Sequence, residues 1–146
     1  MTAKKQIPID PELFSWPSEA PRLNGSQCVA CENITFPTQA SCPKCCGTSM
    51  KKIELSAQGT LWSWTSQEFR PKSPYKRNDT LETFKPFYVG YVELPGQLRV
   101  QTRLGVEDAS QLKIGMEMEL EIVPYRIDDD GNEVMIYSYK PSGGGV

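Results

Sequence analysis

Histidine is absent from all 146 residues. Its absence removes the Ser-His-Asp and Cys-His constellations from this chain. Acid–base chemistry near neutral pH would fall to a tuned Glu, Asp or Lys. For any reaction in which the protein takes part, the reacting groups are expected on another polypeptide. A long apolar run is absent too. The N-terminus, Met1-Thr-Ala-Lys-Lys, runs into Ile-Pro-Ile-Asp-Pro. A membrane span needs about 20 apolar residues, so neither a span nor a signal peptide is expected, and a cytoplasmic location is. Nor is there an excess of positive charge. The net charge is −2, whereas nucleic-acid binders usually carry a basic footprint, so a nucleic-acid partner is not favoured.

Cysteine is nearly absent: there are five, all between residues 28 and 46. Four fall in two short pairs, Cys28-Val-Ala-Cys31 and Cys42-Pro-Lys-Cys45. Each pair can form a tight knuckle that turns backbone N–H groups toward the sulfurs. Two facing knuckles complete a tetrahedral S₄ shell, which suits Zn²⁺. Pro43 and Gly47 sit where tight turns want them. A redox Cys-x-x-Cys would need only one pair, and disulfides would need an oxidising compartment. Iron in a rubredoxin-like site is compatible with the same ligands. Cys46 competes with Cys45 as fourth ligand, and two-residue spacing favours Cys45. Four cysteines leave no open position for water, so the metal is read as structural. It supplies folding free energy on the order of 10 kcal/mol to a module too small to bury much apolar surface.

What is present in quantity fits a globular chain. Hydrophobic residues make up 38% and charged ones 23%, enough for one ordinary domain beside the metal module. Residues 1–24 read as an arm. Asp10 can cap a short helix with Pro11 at N1 and with Ile9 stapled to Phe14. Pro17 would end it. Leu13, Phe14 and Trp16 must bury, either on this chain or on a partner subunit. Residues 25–50 form the zinc ribbon, with a small hairpin at Ile34 and Phe36 and Pro37 in its turn.

From residue 51 to 141 the apolar period becomes two. Leu98, Val100, Thr102 and Leu104 alternate with polar residues, and so do Met116, Met118, Leu120 and Ile122. Residues 59–68 and 87–94 add two strands, the second apolar on both faces and so more central, and 133–139 a fifth. Turns are expected at Leu94-Pro95-Gly96-Gln97 and at Asp128-Asp-Asp-Gly-Asn132. A short helix capped by Asp108, with Gln111 at N3, lies between the third and fourth strands. That order is the order of a five-stranded OB-fold barrel, although another five-stranded topology fits the same pattern. The expected class is mostly β: a rubredoxin-like ribbon, a barrel, a helical arm, and a flexible tail at 142–146. Trp62, Trp64 and Phe69 are each read as core. The loop at 69–86 carries Arg70, Lys72, Lys76, Arg77 and Lys85. It is either a solvated loop or a cationic lip able to hold phosphates.

Several of these motifs occur together in a known family. Cys28-x-x-Cys31, Phe36-Pro37, Cys42-Pro43-x-Cys45 and Gly59-Thr60 before an aromatic strand resemble its pattern. So do Pro86-Phe87-Tyr88-Val89, Val92-Glu93-Leu94 and Leu112-Lys113-Ile114-Gly115-Met116. This is the zinc-ribbon/OB-fold family of acyl-CoA-associated proteins, long catalogued as a domain of unknown function. The resemblance covers about residues 10–140. It departs at Cys46, where the family usually has Gly, and the family pattern supports Cys45 as ligand. It implies a non-catalytic subunit that docks on a thiolase-like large subunit as a hetero-oligomer, near the acyl-CoA entrance. The length and the aromatic strand are similar to thiolase small subunits of anaerobic toluene breakdown. Acyl-CoA is anionic with a long apolar arm, and a groove with aromatics and a cationic lip would complement it. Two other readings stand beside this one. The first is a single-stranded nucleic-acid module with stacking aromatics. The second is an acyl-CoA carrier without an obligate partner.

Overall fold

The computed structural model describes residues 5–72 and 78–142. Among these, the strands are β1 (Gln6–Pro8), β2 (Asn24–Cys28), β3 (Ile34–Thr35), β4 (Met50–Glu54) and β5 (Gln58–Gln67). They continue as β6 (Phe87–Glu93), β7 (Arg99–Leu104), β8 (Glu117–Ile127) and β9 (Glu133–Pro141). Among the described residues, helix is limited to one 3₁₀ turn, Ala109–Gln111. No helix among the described residues is long and apolar enough to cross a membrane.

The last five strands close a barrel. β5 pairs antiparallel with β6, β6 with β7, β8 with β9, and β8 returns to β5. β7 meets β9 in parallel. The circuit β5-β6-β7-β9-β8 is that of an OB-fold, as the strand order in the sequence suggests. The short helix sits between the third and fourth barrel strands, where it is expected. It is a 3₁₀ turn, and Gln111 Oε1 accepts the Asp108 amide at 3.1 Å. The β6–β7 turn also forms: the Gln97 amide donates to the Leu94 carbonyl, and Gly96 supplies φ +70°. At the β8–β9 turn the amides of Asn132 and Asp130 donate to Asp128 Oδ1. Those bonds, that from Asn132 foremost, hold the Asp128 carboxyl below the usual range.

The strand faces follow from alternation. In β7, Val100, Thr102 and Leu104 are buried, whereas Arg99 and Gln101 are exposed. Inward residues of all five barrel strands, among them Leu61, Val92, Val100, Met118 and Tyr139, make the core. Tyr139 is fully buried, and its hydroxyl reaches the Ser56 carbonyl at 3.0 Å. Burial pushes its phenol up.

The arm differs from its expected helix. Asp10 caps a single turn, accepting the Glu12 amide at 2.8 Å, and then the chain extends. Phe14 bridges Leu23, and the Ser15 amide donates to the Arg22 carbonyl. Phe14 is 1% exposed and lies edge-on to Tyr137 at 6.5 Å. Extended backbone takes Phe14 into the core, and Ile9 stays exposed instead of stapling to it. Phe14 is thus withdrawn from any docking surface. Leu13 and Trp16 are half-buried against the same core. Ahead of the turn, β1 adds a parallel strand to β9 through Gln6↔Glu133, Ile7↔Val134 and Pro8↔Met135. The tail at 143–146 lies outside the described residues.

Phe14 fills core, so Phe14→Ala is expected to cost about 3–5 kcal/mol. Urea unfolding, followed by tryptophan fluorescence at constant m-value, checks this.

Candidate metal centre

A second, three-stranded sheet carries the cysteines, in the order β3-β2-β4. β2 pairs with β4 from Asn24↔Glu54 to Cys28↔Met50. The turn of the β2–β3 hairpin is the first knuckle itself, and Pro37 follows β3 instead of sitting in the turn.

The two knuckles share one local design. In the first, the Glu32 amide donates to the Cys28 carbonyl at 2.9 Å; in the second, the Cys46 amide donates to the Cys42 carbonyl at 2.8 Å. The residue after each second cysteine is left-handed, Glu32 at φ +66° and Cys46 at φ +64°. That conformation costs a residue with a Cβ roughly 1–2 kcal/mol. Gly47 then passes close to the sulfurs: a Cβ there would lie 3.2 Å from Cys45 Sγ.

The sulfurs of Cys28, Cys31, Cys42 and Cys45 lie within 4.8 Å of one another. Cys28–Cys45 and Cys31–Cys42 are each 3.6 Å apart. A tetrahedron with Zn–S bonds of about 2.3 Å has edges of about 3.8 Å, so the sulfur cage fits Zn²⁺. The spacing expected from sequence selects these four ligands, and the knuckle gives Cys46 the left-handed position outside the cage.

The electrostatics point the same way. Backbone N–H groups, that of Cys45 first and Lys44 next, outweigh burial and hold the Cys42 thiol down at about 6. The Cys31 N–H acts likewise on Cys28, which is also lowered. The Gly47 N–H favours the Cys45 thiolate, but the sulfurs of Cys28 and Cys31, with burial, outweigh it and push Cys45 up to about 12. Four thiolates this close cannot all ionise without a cation between them. Zn²⁺ supplies that cation, and the closed shell leaves it no site for water.

The other candidate residues are dispersed. Arg70 is paired with Asp79 at 2.9 Å. Lys72 and Lys85 are exposed. Lys85 borders a hollow of about 360 Å³ together with Arg126, and Asp79 and Glu133 balance the charge there. Lys76 and Arg77 lie outside the described residues. Two aromatics read as core are at the surface: Trp62 is 46% and Phe69 82% exposed. A register shift between Leu61 and Ser63 accompanies the outward turn of Trp62. Its ring stacks under the Arg99 guanidinium at 4.0 Å and meets Tyr91 edge-on at 6.1 Å. Sequence reasoning missed this cluster. The alternation placed Arg99 on a wet face, but nothing local aligned it with Trp62 across two strands.

Two family models match the chain: the rubredoxin-like zinc ribbon domain of ChsH2 over residues 19–50, and the C-terminal OB-fold domain of ChsH2 over residues 52–123. The benzoylsuccinyl-CoA thiolase subunit BbsA of Thauera aromatica is 30% identical over 132 residues, spanning 89% of this chain and 85% of that protein. A DUF35 domain-containing scaffold protein of Methanocaldococcus jannaschii is 28% identical over 120 residues, spanning 81% and 79%. The solved structure of the Ltp2-ChsH2(DUF35) aldolase shares the fold at a TM-score of 0.60 and 23% identity, covering 83% of this chain and 85% of that one.

Cys45→Ser is expected to abolish stoichiometric zinc, whereas Cys46→Ser and Cys46→Gly keep one zinc per chain. Cys46→Gly also leaves the melting temperature equal or higher, because glycine relieves the left-handed position. Zinc binding displaces the protons still held by thiols such as Cys45, so affinity falls as pH falls. Elemental analysis and a chelator competition across pH check these outcomes.

Proposed function

This chain belongs to the family of rubredoxin-like zinc ribbons joined to OB-folds that is typified by ChsH2, and on that premise we propose that it is a non-catalytic accessory subunit of a thiolase-type acyl-CoA enzyme. One observation carries the proposal. The chain spans most of a relative named as a thiolase subunit, yet it has no histidine and its four gathered cysteines close a metal shell. A thiolase needs a nucleophilic thiolate and a base. On this reading both come from a large subunit in a cytoplasmic hetero-oligomer. The ribbon and barrel serve assembly, or they border the acyl-CoA entrance. Among the loop's described residues, the exposed Lys72 and Lys85, together with Arg70, whose Nε engages Asp79, are the cations proposed to meet a CoA phosphate. The half-buried Leu13 and Trp16 are the part of the arm left to meet the partner. The acyl group is set by the large subunit. Benzoylsuccinyl-CoA, named for relatives at 27–30% identity, and with it anaerobic toluene breakdown, is the first candidate to assay.

A second reading rests on the Trp62–Arg99–Tyr91 cluster. It lies on the outer side of β5–β7, near the face where OB-folds stack single-stranded nucleic acid. The net charge of −2 opposes that use.

The test is reconstitution. The large subunit that co-purifies from the native host is assayed for thiolysis alone, with this chain, and with the zinc-free Cys45→Ser variant. Activity is expected only with the zinc-loaded chain. Full thiolysis by the large subunit alone, or turnover of a thioester by this chain alone, would overturn the proposal. Salt-sensitive retention of oligothymidylate without any co-purifying enzyme favours the second reading.

A further inference from the structure

β7 has an edge that the barrel does not use. Toward β6 it is paired throughout, from Tyr88↔Leu104 to Glu93↔Arg99. Toward β9 it is paired only at Arg103↔Ser138 and Leu104↔Tyr139. The Leu94 amide donates to the Leu98 carbonyl. By the alternation of an antiparallel ladder, Val100 and Thr102 also turn their backbone groups to β6, while Arg99, Gln101 and Arg103 turn theirs to the other side. Two side-chain bonds agree with that direction. The Tyr137 hydroxyl donates to the Gln101 carbonyl at 3.2 Å, and the Ser138 hydroxyl to the Arg103 carbonyl at 3.1 Å. β9 does not complete the pairing, because β1 takes its residues Glu133, Val134 and Met135.

Beside the open edge runs a groove of about 370 Å³. Val89, Val100, Ile136 and Tyr137 line it with apolar surface, Phe36 and Pro37 of the ribbon wall it, and Arg99 and Arg103 border it. Both guanidinium groups are held in place, Arg99 over Trp62 at 4.0 Å and Arg103 over Phe87 at 3.9 Å. Glu93 engages Arg99 through Nε at 3.3 Å. A guanidinium has five donors, so the terminal N–H groups of Arg99 stay available to a second carboxylate.

We propose that this edge binds an extended segment of a partner protein in which acidic and apolar residues alternate. The segment adds to β7 as a strand. Its backbone bonds to Arg99 and Gln101, the mode by which exposed sheet edges take peptides. Alternate side chains of such a strand point to opposite faces. Carboxylates on the outer face lie beside Arg99 and Arg103, where opposite charges across strands attract. Apolar side chains on the inner face meet Tyr137 and Phe36. The fold already uses strand addition once, with the three residues of β1 on β9. The Tyr137 hydroxyl holds the Gln101 carbonyl until a strand amide replaces it. The inference is independent of whether the partner is a thiolase.

The experiment is amide-resolved NMR on the full zinc-loaded chain, with the peptide Glu-Val-Glu-Val-Glu-Val and its counterpart with Lys at every Glu. The acidic peptide is expected to shift the amides of Arg99 and Gln101 and to slow their exchange, and the basic one is not. Arg99→Gln is expected to weaken the acidic peptide about threefold or more, and Arg99→Glu to reverse the preference between the two. Tyr137→Phe tightens binding, because the Gln101 carbonyl is then unoccupied. Equal response to both peptides, or response to neither, overturns the proposal. So does displacement of the acidic peptide by oligothymidylate at equal concentration, which assigns the face to single-stranded nucleic acid.

Discussion

Four sulfurs gathered within 4.8 Å set the condition on which the N-terminal half depends. As thiols they share protons among themselves; as thiolates they repel. The backbone has chosen the second state in advance. N–H groups of the knuckles converge on Cys28 and Cys42 and favour their ionised forms. The resulting charge concentration is tolerable only around a cation. The free energy of structural zinc binding, about 10–16 kcal/mol in small modules, is comparable to the whole stability of an ordinary domain. The ribbon has little else. Its sheet is three strands wide, and no residue of β4 is buried.

The barrel has a core of its own, and the two halves are joined by apolar contacts. Leu23 and Leu55 flank the ribbon strands and are fully buried, and the Leu55 amide donates to the Leu23 carbonyl. Phe36, which follows β3, meets Tyr137 of the barrel edge-on at 5.5 Å. Phe36 and Tyr137, which make that ring contact, also line the β7 groove. Metal loss would not unfold the barrel directly. It would loosen Phe36, which lines that groove, while Leu23 and Leu55 remain as further contacts with the core.

Much of this was legible because it is local. Ligand spacing decides the cage, since a knuckle is a few residues of backbone. The alternation in β7 and β8 decides which side chains face inward, and a helix between the third and fourth strands decides the barrel order. What escaped is non-local. Asp10 does cap a turn, yet backbone pairing of residues 13–15 with residues 22–24 extends the chain beyond it. Arg70 reads as an unpaired cation of the loop, whereas Asp79 pairs with it. Trp62 reads as core until the register shift after Leu61 accompanies its exposure. For Phe14 and Trp62 the deciding partner lies on another element, and even Arg70 meets its partner nine residues along the same loop.

The separation of metal from chemistry follows from these energetics. A catalytic zinc needs a position where water or substrate replaces a protein ligand. Here each ligand is also a fold contact. Cys28 ends β2, and Cys42 closes the second knuckle through its own amide and carbonyl. Opening the shell to gain a reactive site would remove one of four protein ligands and weaken the hold on the cation that the remaining thiolates need. A ribbon this small has no reserve of buried area to offset the loss. Histidine, the side chain whose unperturbed pKa lies nearest neutral pH, is absent from the chain as well. Among the described residues, the barrel's surface presents instead a β7 edge only partly paired with β9 and a guanidinium, that of Arg99, stacked on Trp62.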